Sequence, residues 1–83
     1  MDEAEAKKLL ESLKELQEDN NELSFPCPRC GHKMEKPAIN NALSRHANVY
    51  ICPGCSTDEG WRISEGKASM PLQKWSAIRK LLD

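Results

Sequence analysis

The first quarter of the chain carries the hydrophobic spacing of an amphipathic helix. Residues 3–18 have the sequence EAEAKKLLESLKELQE, in which almost every residue favours helix. Apolar side chains recur at intervals of three and four: Ala6, Leu9, Leu13 and Leu16, with Leu10 widening the stripe. The pattern predicts one helix that docks on the rest of the molecule or supports weak self-association, since two heptads are too few to specify a coiled coil.

A second amphipathic pattern lies at the C-terminal end. Residues 71–82, PLQKWSAIRKLL, begin with a proline, which is favoured at a first helical position. One apolar face follows at helical spacing: Leu72, Trp75, Ile78 or Ala77, and Leu82. Arg79 and Lys80 stand in the last turn, where cations suit the helix dipole. We expect a helix packed on the body of the molecule, with Trp75 in the core.

The middle of the chain predicts a short helix followed by a strand. Residues 39–46, INNALSRH, suit a helix capped by Asn40 or Asn41, with Leu43 facing the core. Residues 48–52, NVYIC, form a β-branched and aromatic run and give the clearest strand of the sequence.

A further helix is predicted after the last cysteine. Ser56 and Glu59 have the spacing of a capping box, and Gly66 is a suitable C-terminal stop after Glu65. The alternative is a third strand at residues 61–64, because the glycine at position 60 weakens the helical pattern.

Length and composition leave little room for a large apolar core. The chain has 83 residues, and its aromatic residues are Phe25, Tyr50, Trp61 and Trp75. Small scaffolds of this kind usually depend on disulfides or a metal. No apolar run approaches the ~20 residues of a membrane helix, and the acidic start MDEAEAKK lacks the apolar region of a secretion signal. We therefore expect a cytoplasmic protein without a membrane partner, in which cysteines stay reduced.

Four cysteines supply the strongest chemical signal in the sequence. Cys27, Cys30, Cys52 and Cys55 have the spacing C-x2-C-x21-C-x2-C, close to that of zinc ribbons. Each pair presents two sulfurs from one tight turn, and together they supply the tetrahedral set of soft ligands that Zn2+ prefers in a structural site. Four ligands leave no position for water or substrate, so we predict one structural Zn2+ and no enzymatic activity.

The two cysteine pairs differ in the residues around them. Each contains a proline that presets φ, Pro28 in one and Pro53 in the other. The first cysteine turn, residues 27–31, ends in Gly31, which can adopt positive φ. The second cysteine turn, residues 52–56, has Ser56 at the corresponding place, and we expect it to be slightly strained.

Other uses of the cysteines are weaker hypotheses. A rubredoxin-like iron site, which would make the protein an electron carrier, would suit the sequence CPRCG but implies more core aromatics than this chain has. A thioredoxin-like pair would have to begin a helix in a βαβ unit, a context that neither pair has. His32 and His46 are expected on the surface rather than as ligands, because the four thiolates complete the shell.

Two stretches resemble a group of small zinc-ribbon proteins found in Firmicutes genomes, phages and mobile elements. They are FPCPRCG at residues 25–31 and N-A-L-S-R-x-A-x-V-Y-I-C-x-x-C-x-T-D-E at residues 41–59. The sequence departs from that group at His46 and Ser56, where arginine and glycine are expected. The group has no assigned activity and is similar to modules of transcription and replication proteins. The resemblance implies a zinc ribbon but does not extend to the acidic N-terminal helix. With the two amphipathic end helices predicted above, the expected fold is a small α+β zinc ribbon with a β-hairpin or three-stranded sheet.

Charge divides the chain into three predicted segments. Residues 1–23, an acidic amphipathic helix and linker, carry eight acids and three lysines. Residues 24–69, the four-cysteine body, carry six Lys or Arg and four acids, and residues 70–83, the C-terminal helix, carry three Lys or Arg and one acid. Four thiolates on one divalent ion would cancel half of the basic excess after residue 23. The charge therefore gives only modest support for a nucleic-acid surface.

The function that this pattern favours is a zinc-binding module that contacts nucleic acid, as a transcription-related accessory protein of phage or mobile-element type. Candidate contacts are polar or basic: Arg29, Lys33, Lys36, Arg45, His46 and Arg62. The alternative is a protein-interaction adaptor or a modulator of a host protein, which the two amphipathic end helices favour. In either case we expect a monomer or a weak dimer formed through the N-terminal helix.

Overall fold

A computed structural model describes residues 2–82, apart from the side chain of Leu82, and gives a small α+β fold. Its α-helices are α1 (Glu3–Asp19), α2 (Pro53–Ser64) and α3 (Ser76–Leu82). Strands β1 (Ala42–Leu43) and β2 (Tyr50–Ile51) pair antiparallel, and single turns of 3-10 helix lie at Ala38–Asn40 and Leu72–Lys74. The α+β class predicted from the sequence is confirmed, and the sheet within the described residues has two strands.

Helix α1 confirms the helix expected at residues 3–18, although only part of the predicted face is buried. Asp2 caps it by accepting a hydrogen bond from the Glu5 N–H at 2.8 Å. Its buried side chains are Ala6, Leu10 and Gln17. Leu9 and Leu16, expected in the core, are 42 % and 55 % exposed. The helix docks against both 3-10 helices and α3, so the predicted stripe is divided between the core and an exposed edge.

The buried glutamine of α1 explains why this face of the helix turns inward. The Gln17 side chain donates from Nε2 to the Tyr50 carbonyl and accepts from the Tyr50 N–H at Oε1, each at 3.0 Å. These backbone groups lie on the edge of β2 that does not pair with β1. The carboxamide therefore takes the place of one peptide unit of a third strand, and it protects an otherwise open sheet edge. The sequence pattern gave no sign of this contact.

The helix predicted at residues 39–46 is wrong. The Asn41 amide nitrogen donates to the carbonyls of Glu35 and Ala38, at 2.9 and 3.0 Å, and this closes a turn instead of capping a helix. The chain then continues as β1, which pairs with β2 so that Leu43 lies opposite Tyr50. Leu43 is 47 % exposed and does not face the core. The strand predicted at residues 48–52 is confirmed as β2, in a shorter form.

The helix predicted after the last cysteine is confirmed as α2, and the alternative strand at residues 61–64 is wrong. The helix begins earlier than expected, because Cys52 is its N-cap and Pro53 its first residue. The predicted capping box does not form, since Glu59 accepts a hydrogen bond from the Ser44 hydroxyl at 2.7 Å instead. Gly66 follows the helix with φ 69°, as expected of a C-terminal stop.

The single C-terminal helix predicted at residues 71–82 is wrong, because the segment divides at Trp75. This residue is extended, with ψ 143°, between the second 3-10 helix and α3. The first N–H groups of α3, on Ser76 and Ala77, donate to the carbonyls of Arg29 and Pro28 at 3.2 and 3.0 Å. Helix α3 is thus anchored on the first cysteine turn. Trp75 is fully buried, which confirms its predicted place in the core.

The apolar core lies where α1, α3 and β2 meet the two cysteine turns. Its larger members are Leu10, Met34, Val49, Ile51, Leu72, Trp75 and Ile78, and two of the cysteines, Cys27 and Cys55, complete it. The core is therefore continuous with the cysteine cluster. Among the described residues, no helix combines the length and apolar character that crossing a bilayer requires.

Candidate metal centre

The four cysteines predicted as ligands come together at one point between the two turns. Their sulfur atoms all lie within 4.8 Å of one another. The Cys27 and Cys55 sulfurs are 3.8 Å apart, and the Cys30 and Cys52 sulfurs are 3.7 Å apart. Cys27 and Cys55 are buried, whereas Cys30 lies at the surface. Residues from opposite ends of the four-cysteine segment therefore form a single cluster.

The sulfur separations fit a four-coordinate metal ion. A tetrahedral centre with metal–sulfur bonds of about 2.3 Å has sulfur–sulfur edges of about 3.8 Å. A disulfide would bring two sulfurs to about 2.05 Å, and all four cysteines are free thiols. The cluster can therefore hold one ion through four sulfur ligands. A tetrahedral four-sulfur site of this size suits zinc or iron.

The first cysteine turn is a closed loop stabilised by backbone hydrogen bonds. The Gly31 N–H donates to the Cys27 carbonyl at 2.8 Å, and the Cys27 N–H donates to the His32 carbonyl at 2.6 Å. Pro26 and Lys33 form an isolated antiparallel bridge just outside it. Gly31 has φ 84°, so the positive φ expected of this glycine is confirmed. The loop therefore presents its two sulfurs from a fixed backbone.

The second cysteine turn is the first turn of α2. The Cys52 sulfur caps the helix by accepting from the Cys55 N–H at 3.4 Å, and the Cys52 N–H donates to the Cys27 sulfur at 3.3 Å. Thiolates are favoured at the positive end of a helix dipole. The strain expected at Ser56 is not found, because the residue is helical and no residue other than glycine has positive φ among those described.

Two of the four thiols, those of Cys27 and Cys55, are poorly suited to carry charge without an ion. Burial raises the pKa of Cys27, and it raises the pKa of Cys55 strongly. Burial also opposes ionisation of Cys52, but hydrogen bonds from the Cys55 backbone and the neighbouring thiols lower its pKa overall. Binding of a cation therefore has to displace protons from buried sulfurs, which couples metal binding to folding.

A buried arginine lies beside the cluster and joins the two cysteine turns. Arg29, 7 % exposed, donates to Asp58 of α2, and the Arg62 Nε donates to the same carboxylate oxygen at 2.9 Å. The Arg29 hydrogen bond holds the pKa of Asp58 below its usual range. Its charge also favours the thiolate of Cys55. A cation at this place partly balances the formal −2 of four thiolates on a divalent ion.

The other residues predicted as contacts are distributed over different surroundings. Lys33 and Lys36 are exposed. Arg45 is exposed but donates to the Ser56 carbonyl at 2.9 Å, so it is held against α2. His46 is half-buried, and Arg62 is bound to Asp58. The cluster contains none of these side chains, and their contact roles stay predictions.

The structure also shows a basic cleft that the sequence reasoning missed. Its lining includes Lys74, Arg79 and Lys80 together with Arg29 and Cys30 of the first cysteine turn. In the sequence, the two cations of the last turn were explained by the helix dipole alone. Their nearness to the first cysteine turn depends on the anchoring of α3, which only the three-dimensional structure shows.

Comparisons with protein-family models, with curated proteins and with solved structures return no match. The features of this chain that bear on its function are therefore the geometry of the cysteine cluster and the charge and shape of the surface around it.

Proposed function

We propose that the protein is a small zinc-ribbon module in which Cys27, Cys30, Cys52 and Cys55 hold one structural Zn2+. The observation that carries the proposal is the set of four sulfurs within 4.8 Å of one another, with the Cys27–Cys55 and Cys30–Cys52 separations, 3.8 and 3.7 Å, equal to the edge of a tetrahedral site. The ligands come from two tight turns, as in zinc ribbons. Four protein ligands fill the coordination shell, which suits a structural role and not catalysis.

The module is proposed to act by binding nucleic acid, as an accessory protein of transcription or of a mobile element. The surface of the described residues after position 23 supports this, because exposed cations outnumber exposed acids. The exposed cations are Lys33, Lys36, Arg45, Lys67, Lys74, Arg79 and Lys80, and the exposed acids are Glu35 and Glu65. The remaining acids there, Asp58 and Glu59, are occupied by internal hydrogen bonds. The acids on the outside of the protein are concentrated on α1.

Fluorescence anisotropy of labelled oligonucleotides tests this function directly. We expect weak binding by the zinc-loaded protein at about 50 mM salt, and a clear loss of affinity at about 200 mM, because phosphate contacts release counterions. The same titration after removal of zinc by a chelator serves as the control for fold. Absence of any binding at micromolar protein and low salt would rule out the nucleic-acid proposal while leaving the zinc site untouched.

A second candidate function, self-association, is favoured by an apolar groove between α1 and α3. The groove has a volume of about 280 Å3 and contains the exposed leucines of both helices. Those leucines are Leu9, Leu16 and Leu81. A second copy of this chain is the occupant that fits, since a two-fold contact places the same apolar edge on both sides.

Salt separates self-association from nucleic-acid binding. Helix α1 carries six acids and three lysines, so two copies of it repel each other. A dimer formed there should strengthen as salt rises, whereas phosphate binding weakens. Sedimentation velocity at low and high salt measures this, with Leu16→Glu as the disrupting variant. A protein that stays monomeric at all concentrations and salts would eliminate the groove as a dimer contact.

A further inference from the structure

The basic cleft lies between the first cysteine turn and the C-terminal segment. It has a volume of about 420 Å3 and opens to solvent. Its lining residues are Arg29, Cys30, Met70, Lys74, Ser76, Arg79 and Lys80. Four of these are cations and none is Asp or Glu. Arg29 is paired with Asp58, so Lys74, Arg79 and Lys80 give this concave surface its positive charge. Such a surface raises the local concentration of anionic ligands.

The three outer cations of the cleft are available to a ligand. Lys74, Arg79 and Lys80 are exposed, and none forms an ion pair within the part of the chain that the structure describes. Arg29 differs, because its Nη2 is bound to Asp58 while its buried Nε has no hydrogen-bond partner among the described residues. The cleft therefore combines a buried guanidinium, held by Asp58, with three exposed charges.

The chemistry of the lining fits phosphate. Arginine, lysine and serine side chains are the usual partners of phosphate oxygens in nucleic-acid complexes. Met70 is the one carbon-rich apolar side chain in the lining, whereas a protein interface would bring an apolar centre to the contact. The separate apolar groove between α1 and α3 shows that this molecule has such a surface elsewhere.

We propose that this cleft binds the phosphodiester backbone of nucleic acid, an inference that rests on the nucleic-acid function proposed above and assigns it a place. The main contacts come from Lys74, Arg79 and Lys80. The cysteine cluster fixes the cleft, because the carbonyls of Pro28 and Arg29 accept hydrogen bonds from the first residues of α3. Nucleic-acid binding should therefore require the metal even though the metal touches no nucleotide.

Two charge-matched variants of the zinc-loaded full chain test the assignment. Lys74→Glu/Lys80→Glu reverses two charges in the cleft, and Lys7→Glu/Lys8→Glu reverses two exposed charges on α1, which does not line the cleft. Each is titrated into labelled single-stranded and duplex oligonucleotides of about 16 nucleotides. We expect the cleft variant to bind at least about tenfold more weakly, with the slope of log affinity against log salt reduced by about 2. The Lys7/Lys8 variant should lose less than about threefold, since these lysines lie outside the cleft.

The other possible results separate failure of the cleft assignment from failure of the nucleic-acid function. If the wild type binds and the Lys7/Lys8 variant loses as much as the cleft variant or more, the cleft assignment is overturned and the nucleic-acid function stands. If the wild type binds no oligonucleotide, both fall. Tighter binding to vesicles of anionic phospholipid than to either oligonucleotide, lost in the cleft variant, would replace nucleic acid by a lipid headgroup. Zinc content and near-ultraviolet dichroism confirm the fold, and Lys74→Gln/Lys80→Gln replaces the cleft variant if Glu prevents folding.

Discussion

The two cysteine turns share the sequence C-P-x-C and form different local structures. The first is a closed loop in which Gly31 has φ 84°, and its carbonyls anchor the start of α3. The second is the first turn of α2, with Cys52 as N-cap and Pro53 at the first position. The residue that follows the last cysteine of each turn accounts for the difference in backbone structure. Gly31 allows the chain to reverse, whereas Ser56 continues a helix. The motif therefore fixes the two sulfurs of each turn but not the backbone that follows.

The two turns also have different structural roles. The first cysteine turn positions the C-terminal segment and hence the basic cleft. The second supplies helix α2, whose Asp58 and Glu59 bind back to Arg29 and Ser44. Neither turn has a large apolar core of its own, so an ion that joins them should dominate stability.

Removal of the ion should have the largest effect, and it should affect the two turns unequally. Structural zinc contributes about 10–16 kcal/mol in small zinc peptides, which matches or exceeds the ~5–15 kcal/mol net stability of a typical domain. Chelation or Cys52→Ser should therefore abolish the dispersed amide signals of residues 25–56. As chelator is added, part of the helical signal of α2 should be the last to disappear. Its N-cap and its first-turn proline are neighbours of the helix in sequence and do not depend on the first cysteine turn. Unchanged dispersed amide spectra after chelation would contradict the account.

Substitution of the glycine that closes the first cysteine turn should have the next largest effect. Alanine at Gly31 would adopt a disfavoured positive φ, and its Cβ would lie 2.8 Å from the Ser76 hydroxyl oxygen. Backbone strain and crowding together should lower the free energy of unfolding by about 3 kcal/mol. Chemical denaturation in excess zinc measures it. A Gly31→Ala protein as stable as the wild type would show that the loop does not depend on positive φ.

Loss of the arginine that connects the two turns should have a moderate effect. Arg29→Met keeps much of the side-chain volume but removes the bond to Asp58 across the turns, and should cost about 2 kcal/mol. Arg62→Met is the matched control, because Arg62 binds the same carboxylate oxygen from within α2. Arg62 and Asp58 form a partly exposed pair within one helix, so Arg62→Met should lower the free energy of unfolding by about 0.5 kcal/mol or less. Equal losses of unfolding free energy in the two variants would show that Arg29 does not join the turns.

The glycine inside the second cysteine turn should give the smallest effect, with the opposite sign. Gly54 is helical, its φ is not positive, and a Cβ there would meet only the Cys52 sulfur at an ordinary 3.9 Å. Gly54→Ala should therefore stabilise the zinc-loaded protein by about 0.5–1 kcal/mol, through helix propensity. A destabilisation like that of Gly31→Ala would mean that the two turns have the same backbone requirement.

The sequence predicted those features that depend on neighbours along the chain. Helical spacing predicted α1, and the spacing of the cysteines predicted the cluster. A glycine directly after the first cysteine pair predicted the positive φ of Gly31. Cys52 as the cap of α2 was missed, because serine four residues later offered a more familiar capping pattern.

The features that sequence reasoning missed are buried polar side chains with distant partners. Gln17 pairs with the backbone of Tyr50, Glu59 with Ser44, and Arg29 with Asp58. Each of these residue types is usually exposed, and burial becomes favourable only when a specific partner satisfies the polar group. Hydrophobic spacing contains no information on such partners, which is why it predicted burial of Ala6 and Leu10 on α1 but missed that of Gln17.

Native mass spectrometry of protein purified without added metal is the most direct test of zinc binding by the four cysteines. We expect a mass that exceeds that of the bare chain by one zinc ion, less the protons displaced from the thiols, and a return to the bare mass on acid denaturation. A native mass equal to that of the bare chain, or one that corresponds to iron, would contradict it.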